Sequence, residues 1–382
     1  MATTTRSSGD GAETAGKLPF LYLSSAEVEA LLPMGECIAL MEGALRELAL
    51  GGAVQPLRSV MRLEGRPGLL GFMPGQIRVP GAGAAGEPPA AEPGSPTAGT
   101  ARSIAGIKVV SIFPGNRERG DESHFGVVLL FETETGRPIA SVDAAAITTI
   151  RTAAVSALAT RLLARAEAGE LALLGAGVQA RSHLAAMREV RELRRVRVWS
   201  RRSESARRFA AEESARHGLA VEAAPSAAAA VAGADLVCTV TSAREPVLAG
   251  AWLSPGAHVN AVGSSIAAAR ELDSAAVSRS RLFVDRREST VNESGDYLFP
   301  LREGAIAPDH IQGEIGDLLL GRVAGRRGAD EITLFKSLGL AVEDLAAADH
   351  AYRRALAQSR GIRLDSGADP APERTPADGS AK

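Results

Sequence analysis

The spacing of apolar residues changes along this chain of 382 residues. From residue 171 onward, short apolar runs of strand type alternate with helical patterns. Strands that alternate with helices in this way are typical of a doubly wound parallel sheet. The preceding part mixes predicted strands, at 104–112 and 126–131 among others, with amphipathic helices. We therefore expect an α/β protein with a Rossmann-type domain and a separate α+β domain before it.

A glycine motif lies where the first strand of the alternating series ends. Gly175, Gly177 and Ala180 follow the spacing G-x-G-x-x-G/A. The first glycine permits a tight turn, the second lets the backbone approach a pyrophosphate, and the small third residue lets the helix pack close to the strand. The helix then begins at Val178 and Gln179, so its free N–H groups would face phosphates. The motif predicts a bound dinucleotide.

Residues at the ends of later strands predict which dinucleotide binds. The second strand ends at Ser200 and is followed by Arg201 and Arg202, with no carboxylate to accept from a ribose hydroxyl. Arginines match a 2′-phosphate, so we expect NADP(H) in preference to NAD(H), which stays possible. The alternative is that both arginines form a solvated helix start. Thr241 and Val262 end further strands and are assigned to the same crevice.

Composition indicates domain limits on both sides of this series. Segments poor in large apolar residues are expected to be disordered or flexible. We expect disordered tails at 1–17 and 361–382 and a flexible insertion at 80–103. We expect a substrate-binding and dimerisation domain at 18–145 and a Rossmann dinucleotide-binding domain at 146–318. The chain is then expected to return to the first domain at 319–360. The predicted strand and helix of 332–357 are placed outside the parallel series.

Charge and cysteine content exclude several kinds of partner. With a net charge of −2, neither nucleic acid nor an anionic membrane is an expected partner. Cys37 and Cys238 lie in apolar runs and are predicted to be buried thiols, and no metal is expected. No apolar stretch reaches transmembrane length and no signal pattern is seen, so we expect a cytoplasmic location. Lysine is rare in this sequence, and Lys108 and Lys336 are the two lysines outside the expected tails. They are present either because a function needs them or by chance.

Several runs together resemble the ornithine cyclodeaminase/mu-crystallin family. The most specific are R-T-A-A at 151–154 and F-K-S-L-G at 335–339, and the matches keep the family's order over about residues 18–358. The resemblance implies a homodimer whose first domain binds the substrate and forms the dimer. It also implies hydride exchange between a nicotinamide and the α-carbon of a small amino or imino acid.

The resemblance implies roles for three cations. Arg58, Lys108 and Arg151 match positions that bind the substrate carboxylate or approach its nitrogen. Arginine binds carboxylate through two parallel hydrogen bonds, and a lysine ammonium can donate a proton to an imine. For Arg58 alone, an ordinary surface arginine is the alternative.

Other matched positions indicate which reaction the family fold carries here. Ser337 and Leu338 match cofactor or substrate contacts, and His124 lies near the cleft in the family pattern or is a structural histidine. Cyclodeaminases of the family carry an aspartate where Ser265 stands and a glutamate where Gly71 stands. The absence of both carboxylates argues against cyclisation with loss of ammonia, because a missing general base costs about 10²–10⁴ in rate.

We therefore expect an NAD(P)H-dependent reductase of a cyclic ketimine, such as pyrroline-2-carboxylate or piperideine-2-carboxylate. The alternatives are an amino-acid dehydrogenase of alanine type, a cyclodeaminase, and a non-catalytic NADPH-binding sensor.

Overall fold

The computed structural model describes residues 18–66, 68–79, 102–113, 115–116 and 124–364. The predicted N-terminal tail, nearly all of the predicted insertion and most of the predicted C-terminal tail lie outside these residues. None of the helices in the described ranges is both long and apolar enough to cross a membrane.

The first sheet is mixed and carries helices on one face. Its strands are β1 (Phe20–Leu23), β2 (Ala53–Val54), β3 (Ser59–Arg62), β4 (Leu69–Val79), β5 (Arg102–Ile112), β6 (His124–Glu132), β7 (Pro138–Asp143) and β16 (Ile362–Leu364). The strand order is β16-β1-β7-β6-β5-β4-β2, and β3 pairs with β4. The helices are α1 (Ser25–Leu31), α2 (Met34–Ala49), α3 (Ala144–Leu163) and α11 (Ala341–Ala357).

The second sheet consists of eight strands, and all of its pairings are parallel. Its strands are β8 (Glu170–Leu174), β9 (Arg195–Trp199), β10 (Val221–Ala223), β11 (Leu236–Thr239), β12 (His258–Ala261), β13 (Ser280–Val284), β14 (Ile311–Glu314) and β15 (Ile332–Lys336). Apart from β15, which lies between β12 and β13, the order β10-β9-β8-β11-β12-β15-β13-β14 runs outward in both directions from β8. This topology confirms the predicted doubly wound sheet.

Short helices connect the parallel strands. They are α4 (Val178–Val190), α5 (Ser203–His217), α6 (Ala227–Val231), α7 (Ser274–Ser278), α8 (Arg287–Glu293), α9 (Gly295–Arg302) and α10 (Ile315–Leu319). Helix α3 packs against α2 and α4 and also contacts strands of both sheets. Most of its residues are buried, and they lie on every side of the helix, as expected of a helix in the middle of a large core.

Two predictions about the C-terminal part are wrong. Strand β15 does not lie outside the parallel series, because it pairs with β12 on one side and β13 on the other. The chain reaches it only after β14, so this position in the sheet is set by long-range pairing that a local pattern does not encode. Residues 362–364, placed in the disordered tail, form β16 and pair with β1. Helix α11 does pack on the first sheet.

Candidate functional site

The predicted glycine turn lies at the point where the order of the parallel strands reverses. Gly175 follows β8 and has a φ of +124°, a value that only glycine adopts readily. A Cβ atom there would lie 2.7 Å from the backbone oxygen of Val240, at the end of β11. Ligands of open α/β sheets bind in the crevice outside this point, so the turn faces the expected dinucleotide site.

The start of α4 leaves room and donors for a diphosphate. Gly177 is the N-cap, no side chain caps the helix, and a Cβ atom at Gly177 would meet nothing within 4 Å. Val178 is 58% exposed, although it is apolar. The Oε1 atom of Gln179 is buried without a hydrogen-bond partner in the described residues. The uncapped N–H groups and the open space at Gly177 fit a phosphate group approaching the helix N-terminus, whereas the Gln179 oxygen is an acceptor and would need a donor from another part of the ligand.

The ribose end of the site is positively charged. Ser200 follows β9 and is half-buried, while Arg201 and Arg202 are exposed. Neither guanidinium forms an ion pair or side-chain hydrogen bond within the residues that the structure covers. Both are therefore available to a ligand phosphate.

A pocket of about 160 Å³ lies at the ends of β11 and β12. It is lined by residues 242–244 and 263–266 and by Ala269, so Ser265 faces it and no carboxylate lines it. Val262 directly precedes this lining. Thr241 lies beside it, but its N–H and hydroxyl both donate to Glu271, each at 2.7 Å. The predicted cofactor contact at Thr241 is thus engaged within the protein.

The structure brings Lys108 and Arg151 to one carboxylate. Lys108 Nζ, on β5, lies 2.6 Å from Asp344 Oδ2, and Arg151 Nε, on α3, donates to Asp344 Oδ1 at 2.8 Å. Arg151 Nη1 also donates to Glu343 at 2.9 Å. All four side chains are buried. Burial lowers the pKa of Lys108 to about 8, and the Asp344 charge opposes that shift.

Arg58 joins the same region through a loop. Its Nη2 donates to the backbone oxygens of Leu338 and Gly339 at 2.9 and 3.2 Å, and its Nε lies 2.8 Å from Glu293 Oε2. A Cβ atom at Gly339 would lie 2.5 Å from Arg151 Nη1, so the loop passes directly over that guanidinium. We call Arg58, Lys108 and Arg151 the cation cluster.

Four carboxylates surround the cation cluster, and sequence reasoning missed all of them. They are Asp285, Glu293, Glu343 and Asp344. Asp285 Oδ2 accepts from the N–H groups of Leu338 and Gly339 at 2.6 and 2.7 Å, which holds the loop beside Arg58. Burial raises the pKa of Glu343 to about 7. The signal that the sequence offered was an acidic pair in the first turn of helix α11, within an otherwise apolar run from Ala341 to Ala348.

The remaining predicted positions are less central. Ser337 and Leu338 are buried, and their N–H groups donate to Ala261 and Asp285 respectively. Gly71 pairs with Val110 on β5, and His124 is exposed at the start of β6.

Both cysteines are buried free thiols, as predicted. In the described ranges, no group of three or more His, Cys, Asp or Glu side chains could hold a metal ion.

Comparison with known proteins agrees with this geometry. A family model described as the ornithine cyclodeaminase/mu-crystallin family matches residues 95–359. The mouse (Mus musculus) ketimine reductase mu-crystallin is 38% identical over 335 residues, which cover 87% of this chain and 96% of the mouse protein.

Two solved structures share the fold over nearly their whole length. One is a Thermococcus litoralis Δ1-pyrroline-2-carboxylate reductase in complex with NADH and L-proline, at a TM-score of 0.81 and 37% identity, covering 90% of this chain and all of that one. The other is an archaeal alanine dehydrogenase dimer with bound NAD, at a TM-score of 0.80 and 30% identity, covering 91% and 100%. The chain belongs to the ornithine cyclodeaminase/mu-crystallin family.

Proposed function

We propose that this protein is an NAD(P)H-dependent reductase that converts a cyclic ketimine carboxylate, such as pyrroline-2-carboxylate or piperideine-2-carboxylate, to the cyclic amino acid. The observation that carries this proposal is Lys108. Its ammonium is buried, is held by one carboxylate at 2.6 Å and has a pKa lowered to about 8. Such a group holds a proton at neutral pH and releases it more easily than an exposed lysine.

The two arginines would bind the substrate carboxylate. Nη1 of Arg58 and Nη2 of Arg151 have no partner among the described residues, so each guanidinium keeps donors for a ligand while its other N–H groups hold it in place. Binding the carboxylate fixes the position of the adjacent C=N carbon. Orientation of this kind accounts for much of the rate enhancement that such a site gives. Lys108 would then donate its proton to the imine nitrogen.

A bound nicotinamide would supply the hydride that the α-carbon of the C=N group needs. The proton that completes the CH–NH group would come from Lys108, and solvent would return a proton to Lys108. Ser265 faces the pocket where a cyclodeaminase carries an aspartate, so no base there directs water or an amine to the imine. We propose NADP(H) as the preferred cofactor because Arg201 and Arg202 are exposed and unpaired at the ribose end.

We also propose a homodimer with a cytoplasmic location. Met61 and Phe125 lie in one row across the first sheet and are both exposed, so a second copy would cover these two apolar side chains. We propose that the division between the substrate-binding and dinucleotide-binding parts lies near residue 145 and, because β15 belongs to the second sheet, after residue 336.

The test is NADPH oxidation with each ketimine, with NADH in parallel. Pyruvate with ammonia tests an alanine dehydrogenase, which the likeness to the archaeal enzyme makes the second candidate. We expect ketimine turnover well above pyruvate turnover. Binding of NADPH without turnover of any of these substrates would overturn the proposed reaction in favour of a sensor.

A further inference from the structure

A buried carboxylate, Glu271, ties together the loops at the ends of β11 and β12. Its two oxygens accept from the hydroxyls of Thr239 and Thr241 at 2.8 and 2.7 Å and from the N–H groups of Thr241 and Gly263 at 2.7 and 2.7 Å. The Thr241 hydroxyl itself accepts from a backbone N–H, so its proton points to Glu271. Burial and the Asp296 charge raise the pKa of Glu271, but four donors within 2.8 Å stabilise the ionised form, which we assign to it.

A buried ion pair continues this arrangement. Asp296 Oδ1 accepts from the N–H groups of Glu271 and Leu272 at 2.8 and 3.0 Å, and its Oδ2 lies 2.9 Å from Lys336 Nζ. Lys336 also donates to the backbone oxygen of Ser264. We call Glu271, Asp296 and Lys336 the buried network. Each of its side chains is at most 3% exposed.

Lys336 sets the orientation of the peptide between Ser264 and Ser265. Since a trans peptide points its C=O and N–H in opposite directions, the Ser265 N–H is directed away from the buried network. No acceptor for it occurs among the described residues. Both serines line the pocket at the ends of β11 and β12. The network therefore leaves a backbone donor free at the pocket side of this loop.

The buried network also carries a net charge of −1, from two carboxylates and one ammonium. That charge lies one peptide group behind the pocket, because Gly263 both lines the pocket and donates to Glu271. A Cβ atom at Gly263 would lie 2.1 Å from the Thr241 oxygen, so the two loops are in direct contact there. Arg244 also lines the pocket but is exposed, where water and salt screen its charge.

We propose that the buried network is a positioning and specificity-determining element for the nicotinamide end of the cofactor. It holds the pocket backbone in place, and its negative charge favours the oxidised nicotinamide, which is positively charged, over the neutral reduced form. Few protein atoms and no solvent separate the charge from the pocket wall, so its effect is screened less than that of a surface carboxylate. This inference rests on the proposed function, since it assumes that the pocket takes a nicotinamide.

The experiment measures Kd for NADP⁺ and for NADPH by calorimetry, without substrate, on wild type and variants. Asp296→Asn keeps an oxygen that can accept both backbone N–H groups but removes the charge. We expect it to raise the ratio Kd(NADP⁺)/Kd(NADPH) about tenfold, the order expected for a unit charge acting over several ångströms of protein. Glu271→Gln should act in the same direction. If that variant does not fold, Asp296→Asn decides the question.

Lys336→Met provides a test of sign. It removes the positive charge of the buried network, so the net charge of the network stays at −1 or becomes more negative. The ratio Kd(NADP⁺)/Kd(NADPH) should therefore not rise, even if the loops loosen and both affinities fall. Glu222→Gln, an exposed substitution on β10, is the matched control and should leave the ratio unchanged. An unchanged ratio in folded Asp296→Asn, or a raised ratio in Lys336→Met, would overturn the electrostatic role.

The result can be separated from failure of the proposed function. A wild-type protein that binds neither form of the cofactor contradicts the proposed function itself. A wild type that reduces a ketimine, with an unchanged Kd ratio in folded Asp296→Asn, contradicts only the role of the buried network.

Discussion

Lys108 and Lys336 are both buried, and each forms an ion pair with one aspartate, yet their surroundings differ. Lys108 touches Asp344 and, at 3.4 Å, the hydroxyl of Thr148. Lys336 donates to Asp296 and to a backbone oxygen, and Asp296 is held in turn by two N–H groups. Each ammonium thus has two protein partners, but both partners of Lys108 are side chains, whereas Lys336 binds the backbone of a pocket loop.

This difference shows that burial and an ion pair do not by themselves identify a catalytic lysine. The partners of each ammonium are more informative. Lys108 lies within a cluster of cations that retain unpaired N–H groups, while Lys336 is bonded to the backbone that shapes a pocket. We therefore assign chemistry to the first region and positioning to the second, and the predictions below separate them.

The largest effect is expected for Lys108→Met. Loss of the proton donor should lower kcat for ketimine reduction by about 10²–10⁴. The Kd for NADPH should change little, because the contacts of the dinucleotide turn are untouched. Steady-state kinetics and calorimetry measure the two quantities. A variant with wild-type kcat would remove Lys108 from the reaction.

Gly175→Ala should mainly affect the cofactor region. The φ of +124° and the 2.7 Å approach to the Val240 oxygen leave no space for a methyl group. We expect a loss of about 1–3 kcal/mol in the free energy of unfolding, measured by denaturant titration, and a weaker affinity for NADPH.

Gly177→Ala is the matched control for that substitution. Its Cβ meets no protein atom within 4 Å, so stability should be nearly unchanged while the affinity for the dinucleotide falls. A stability loss as large as that of Gly175→Ala would contradict this description of the turn.

Arg201→Ala and Arg202→Ala should change cofactor preference. A charge-assisted hydrogen bond to a 2′-phosphate contributes about 1.5–3 kcal/mol. The more important of the two substitutions should therefore lower kcat/KM with NADPH by about tenfold or more and leave kcat/KM with NADH nearly constant. Equal losses with both cofactors would show that these arginines do not contact the 2′-phosphate.

The smallest effect is expected in the pH profile. Lys108 donates only when protonated, so with its pKa near 8 the value of kcat/KM should fall as the pH rises through about 8. Asp344 raises that pKa. Asp344→Asn should therefore move the fall to lower pH. A shift to higher pH would show that another group controls this limb.

The sequence predicted those parts of the fold that depend on neighbouring residues. The glycine turn and the strand ending at residue 174 are both present in the structure. Strand β15 was misplaced because its partners, β12 and β13, are set by packing between distant segments.

The site was predicted less completely for the same reason. The cations were found through family resemblance, but Arg58 and Glu293 meet only after the chain has passed through most of the second sheet. Glu271 gave no signal, because a carboxylate between strands usually lies on a solvated surface. Only the folded chain shows that it accepts four hydrogen bonds at the pocket.

The position of β15 has a consequence for dissecting the protein. A fragment that ends near residue 318, at the predicted domain limit, would lack the strand between β12 and β13. Both of those strands would then present unpaired N–H and C=O groups, a template for intermolecular association. All eight strands of this sheet lie in the continuous segment 170–336. Any chimera that exchanges the dinucleotide-binding half must therefore extend the transferred segment past residue 336.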